Sequence, residues 1–180
     1  KAFKNWLRTF GDNPKMEVFI FYSGHGLSEA DGSDAYFIPA DGDPALLKET
    51  SISRNQILSD LASIQHKSST LFLDTCYSGV TRTGEPLVAN LRPLVVKAKK
   101  WQGLGPKVSI LSASTESEIS TGLKDRKHGL FSYYLMRALN GEADKAISGN
   151  ADGMITLKEI ADYVRPLVSR VASSRGQKQT

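Results

Sequence analysis

Five apolar residues in succession, Val18-Phe19-Ile20-Phe21-Tyr22, are followed at once by Ser23-Gly24-His25-Gly26. A run this short, rich in β-branched and aromatic residues, reads as a strand covered on both faces, which is the pattern of a parallel sheet. The same construction returns at Thr70-Leu71-Phe72-Leu73-Asp74, which leads into Thr75-Cys76-Tyr77-Ser78-Gly79. A third run stands at Val108-Ser109-Ile110-Leu111. A chain built on such strands must cover them with helices, and helical patterns alternate with them.

Phe3, Trp6, Leu7 and Phe10 open the chain at helical spacing and stop at the turn cluster Gly11-Asp12-Asn13-Pro14. Ser53 and Gln56 have capping-box spacing, and Ile57, Leu58, Leu61 and Ile64 share one face, which predicts a helix from Ser53 to Ile64. Further helices are predicted over Leu130–Asn140 and from Thr156 onward, the last opened by Thr156 and Glu159 in capping-box order. Tyr36-Phe37-Ile38-Pro39 reads as an edge strand or hairpin arm, because Pro39 cannot donate to a ladder. Strands alternating with helices predict βαβ units, hence an α/β fold with a mostly parallel sheet flanked by helices on both faces.

Length and composition agree with one domain over residues 1–180: 40% of the residues are apolar, enough for a full core. The net charge of +4 is spread along the chain without a basic face interleaved with aromatics, so no nucleic-acid partner is expected. A single cysteine cannot close an internal disulfide, and with no apolar segment near 18 residues and no secretory leader a reducing, cytoplasmic setting without membrane contact is expected. Lys1 opens directly on a helical pattern, as a processed or excised piece would.

In an open parallel sheet, ligands and reactive groups gather at the carboxyl ends of the strands. His25 follows the first strand by three residues and Cys76 follows the second by two, so both belong to one rim. Roughly 50 residues between them, including a helix, suit a crossover to a neighbouring strand. A thiolate beside an imidazole is a nucleophile with its own proton donor. Gly24 and Gly26 let the backbone approach a substrate, and the Gly26 and Cys76 N–H groups are candidates for an oxyanion hole.

These two boxes resemble a known family. "YSGHG" at 22–26 and "DTCYSG" at 74–79 are similar to the histidine and cysteine motifs of the caspase-like cysteine peptidases, in the metacaspase, orthocaspase and paracaspase branch. The separation of His25 from Cys76 agrees with the spacing of about 50 residues in caspases. "SILSASTESE", "HGLFSYYLMRAL" and "NADGMITLKEI" resemble the segments that follow in that family. The resemblance implies a caspase-like α/β/α sandwich whose first strand and helix lie before Lys1 and whose last strand lies past Thr180.

It further implies a protease with His25 as base and acid and Cys76 as nucleophile, acting on proteins or peptides. Asp74, two before the cysteine, corresponds to a pocket-lining aspartate; Ser23 and Glu118 correspond to further pocket positions. An aspartate there favours arginine or lysine before the scissile bond, and extended positions 74 and 76 share one side of the strand. The basic stretch within 80–106, with Arg82, Arg92, Lys97, Lys99 and Lys100, is then a candidate processing region. A partner chain or segment would supply the missing N-terminal part. A caspase-like scaffold without turnover is the alternative.

No cofactor is required by this chemistry. Calcium is the one candidate: Asp31, Asp34, Asp41 and Asp43 follow His25, but Thr83 stands where some relatives carry an acid, which weakens a hard-cation site. Ser148, Asn150, Asp152, Gly153 and Glu159 have EF-hand loop spacing, with serine at the first position, so Asn150, Asp152 and Glu159 are weak metal candidates and a turn with a helix cap is the other reading.

Overall fold

In a computed structural model, residues 2–10, 12–29, 31, 33–75, 105–113, 122–123 and 128–174 are described. The opening amphipathic pattern forms helix α1 (Ala2–Thr9), and the first apolar run forms strand β1 (Glu17–Ser23). Three short strands follow, β2 (His25–Ser28), β3 (Ala35–Ile38) and β4 (Ile52–Ser53), with a 3-10 turn and the short helix α2 (Leu47–Thr50) before the last. Helix α3 (Arg54–Ala62) begins where the capping pattern predicts: the Ser53 hydroxyl accepts from the Gln56 N–H at 3.0 Å. Strands β5 (Ser68–Asp74) and β6 (Val108–Ser112) complete a parallel sheet in the order β1-β5-β6.

The remaining elements are a two-stranded ribbon of β7 (Gly122–Leu123) and β8 (His128–Gly129), then helices α4 (Leu130–Arg137), α5 (Ala143–Lys145) and α6 (Leu157–Ser174). A π-type turn over Ala138–Glu142, with Gly141 at φ 97°, ends α4 before the predicted Asn140. The Thr156–Glu159 capping box forms: the Glu159 carboxylate accepts from the Thr156 N–H at 2.8 Å, and the Thr156 hydroxyl accepts from the Glu159 N–H at 3.2 Å.

Alternation along the strands divides the core in two. Val18, Leu71 and Leu73 meet Leu7 of α1, Ile57 and Leu61 of α3, and Phe37 of β3 on one face. Phe72 and Leu111 meet Leu130, Phe131 and Leu135 of α4 and Ile160, Val164 and Val168 of α6 on the other. Helices therefore cover both faces, as an α/β/α arrangement requires. Each such side chain taken out of water stabilises the fold by about 1.5–3 kcal/mol.

Two expectations change. The first strand is not buried on both faces: Phe19 and Phe21 are 65% and 57% exposed, because α4 and α6 stop over β5 and β6. Of the two readings of residues 36–39 the hairpin arm holds and the edge strand does not: β3 pairs antiparallel with β2 and is the centre of the sheet β2-β3-β4, with all four residues buried. Pro39 lies just past its last paired residue, Ile38, and so removes no ladder bond. Among the described residues no helix is long and apolar enough to cross a membrane.

Candidate active site

The parallel register pairs Ser23 of β1 with Asp74 of β5 as the last partners of the two strands. His25 stands two residues past Ser23, and Cys76 two residues past Asp74 along the chain. Cys76 itself lies outside the described residues, as do Glu118, Thr83 and residues 80–104 of the basic stretch. The rim as far as Thr75, which is fully buried, is described.

His25 is exposed and opens β2, where it pairs with Ile38. Its backbone is held on both sides. The Gly24 N–H donates to the Asp74 carbonyl at 3.2 Å, tying the turn to β5, and the Tyr22 hydroxyl donates to the His25 carbonyl at 2.7 Å. Gly24 is thus needed by the protein itself: a Cβ there would stand 2.6 Å from the Tyr22 hydroxyl oxygen. Gly26 is buried in β2, opposite Phe37.

Asp74 is fully buried, with its carboxylate at the amino end of α4. Its Oδ2 accepts from the Ser132 N–H at 3.2 Å and from the Ser132 hydroxyl. Gly129, at the N-cap position before α4, offers no side chain to cap the helix, so the aspartate from β5 does so across the chain. A Cβ at Gly129 would come within 2.0 Å of Asp74 Oδ2. Ser132 and Gly129 were missed in the sequence because their role is visible only once α4 is docked on β5.

From this corner an apolar groove of about 920 Å³ runs back between β1 and α4. Ser23, Gly129 and Ser132 line its head, and Phe19, Phe21 and Met136 line its length. Ser23 thus opens on the groove that adjoins Asp74.

The weak metal candidates fall elsewhere, in the turn before α6. Glu159 is buried and accepts from the N–H groups of Asn150 and Thr156 and from the Thr156 hydroxyl. These bonds, the Thr156 backbone first, hold its carboxyl below the ordinary carboxylate value. The Asp152 N–H and Gly153 N–H donate to the two oxygens of Asp144, a buried residue outside the EF-hand spacing. Asn150 and Asp152 bond to each other, through Nδ2 to Oδ2 at 2.9 Å. The donors that a cation would use are engaged in the turn, and no group of three or more potential metal-binding side chains occurs among the described residues.

The described rim thus holds an exposed imidazole at the start of β2, tied by its neighbouring backbone to β5, the strand that runs in sequence toward Cys76. Residues 2–180 match the family model for the caspase domain. No curated protein matches the chain.

Proposed function

Because the chain belongs to the caspase-domain family of cysteine peptidases, we propose that it is an endopeptidase of the metacaspase, orthocaspase and paracaspase branch in which Cys76 is the nucleophile and His25 its base and acid. One observation carries this reading: β1 and β5, the strands that lead in sequence into the two motifs, are adjacent and parallel and end together at the Ser23–Asp74 pair. The Cys76 thiolate adds to the substrate carbonyl, and the carbonyl electrons move onto oxygen, toward the N–H groups of Gly26 and Cys76. The intermediate collapses to a thioester as the departing amine takes a proton from the His25 imidazolium. His25 then takes a proton from water, which attacks the thioester and releases the carboxylic acid and the thiolate.

Asp74 supports cleavage after arginine or lysine. A carboxylate adjoining the head of the groove attracts a guanidinium or ammonium group, with Ser23 beside the entry and Glu118 as a further acid. Self-processing after a basic residue within 82–100 follows from the same preference. Calcium is not required for these steps.

The β1 edge supports a further strand supplied by a preceding segment or a partner chain. Among the described residues β1 is the end of its sheet, and Phe19 and Phe21 beside it are exposed. Helix α1 packs with α3 on one face, so a right-handed connection through α1 into β1 starts from a parallel strand on the side away from β5.

Short fluorogenic peptides ending in arginine, lysine or aspartate, given to wild type and Cys76→Ala with and without calcium, test the reading. Thiol-dependent cleavage after arginine or lysine is expected. Its absence, with the preceding segment supplied, would favour a scaffold without turnover. Intact mass after incubation tests self-processing: wild type loses mass at a basic residue and Cys76→Ala does not, whereas identical masses would remove that step.

A further inference from the structure

The geometry points to Tyr22 as a positioning residue for His25, acting through its hydroxyl. This deepens the proposed reaction and rests on His25 as its base and acid. Tyr22 sits on the face of β1 that meets α3 and β3, and its ring lies 4.8 Å from that of buried Phe37. The hydroxyl reaches past the end of the strand to two carbonyl oxygens, His25 at 2.7 Å and Ile38 at 2.9 Å. Those two residues are cross-strand partners in β2 and β3. A phenol has one proton, so the two carbonyls share it, and the parallel sheet is tied to the hairpin at the residue that carries the imidazole.

Gly24 completes the clamp. Its N–H is bonded to the Asp74 carbonyl, and its lack of a Cβ leaves the space that the Tyr22 hydroxyl fills. The His25 backbone is therefore fixed to β5 on one side and to β1 on the other, and only the side-chain torsions remain to orient the ring. Displacements of about 1 Å at a catalytic group cost up to about 100-fold in rate, so a hydroxyl that removes backbone drift acts on turnover more than on binding.

Tyr22→Phe keeps the ring on Phe37 and deletes the hydroxyl. With a basic-residue peptide substrate, kcat is expected to fall about tenfold with KM within about twofold, which marks an effect on the chemical step rather than on binding. The His25 Hε1 resonance, identified among three histidines by its loss in His25→Ala, shifts in Tyr22→Phe. Gly24→Ala, which pushes the hydroxyl aside, reproduces both effects, and the double variant loses no more than either single one. Wild-type kcat in Tyr22→Phe, or a resonance that does not move, would overturn the assignment. If wild type cleaves no peptide, the protease reading falls and the resonance alone decides: movement in Tyr22→Phe or Gly24→Ala supports the clamp, and none refutes it.

Discussion

The two ends of the parallel sheet each hold a histidine, and the two are treated in opposite ways. At the amino end His66 is 4% exposed and both ring nitrogens are engaged. Nδ1 lies 3.2 Å from the Ile64 carbonyl, which can only accept, so Nδ1 carries a proton, and Nε2 is hydrogen-bonded with the Ser69 hydroxyl at 2.7 Å. The Lys107 ammonium donates to the His66 carbonyl, closing the corner. At the carboxyl end the anchoring falls on the His25 backbone, and the ring stays exposed. A ring whose nitrogens are spent on the protein serves the fold, whereas the His25 ring leaves its nitrogens to the surface, as the proposed proton transfer requires.

His25→Ala gives the largest separation between the ends. It is expected to lower kcat by about 10²–10⁴-fold, the usual contribution of a positioned acid–base group, while denaturant midpoints report stability within about 0.5 kcal/mol of wild type. Loss of stability with retained turnover would make His25 a second His66. Gly129→Ala comes next: the new Cβ meets the buried Asp74 carboxylate at 2.0 Å, and forcing the two apart should cost about 1–3 kcal/mol by urea denaturation, with activity lost alongside.

Much of this arrangement is legible in the sequence, and what is not has a physical reason. Continuous apolar runs announce β1, β5 and β6, and the glycine–histidine box announces the turn at the end of β1, because burial and turn chemistry are local signals. The exposure of Phe21 beside buried Phe72, its register partner, is not legible, since it depends on how far α4 reaches. Ser132, Asp144 and Tyr22 act through bonds across 58, 8 and 16 residues. Only Tyr22 left a trace, as the aromatic residue two before a glycine whose missing side chain makes its room. The central place of β3 was hidden by Pro39, which lies one residue too late to weaken the strand.

The amino end sharpens the contrast with smaller effects. His66→Ala leaves the fully buried Ser69 hydroxyl without that ring partner and should cost about 1–3 kcal/mol in thermal or urea unfolding, with kcat within about twofold of wild type. A fall in kcat larger than the fall in folded fraction would show that the two ends are coupled. Glu17→Gln removes the Lys67 ion pair of 2.7 Å, whose side chains are 65% and 42% exposed. It should cost about 0–1 kcal/mol, less at high salt, and leave turnover unchanged.

The pairing of His25 with Cys76 is tested most directly by alkylation, because the chain has one cysteine and the adduct is unambiguous. The rate of iodoacetamide addition at neutral pH, followed by intact mass in wild type and His25→Ala, reads how far the imidazole favours the thiolate. The proposed pair predicts that wild type reacts about tenfold faster or more, with the difference vanishing at alkaline pH where any free thiol ionises. Equal rates at neutral pH in the two proteins would contradict a thiol and imidazole acting as a pair.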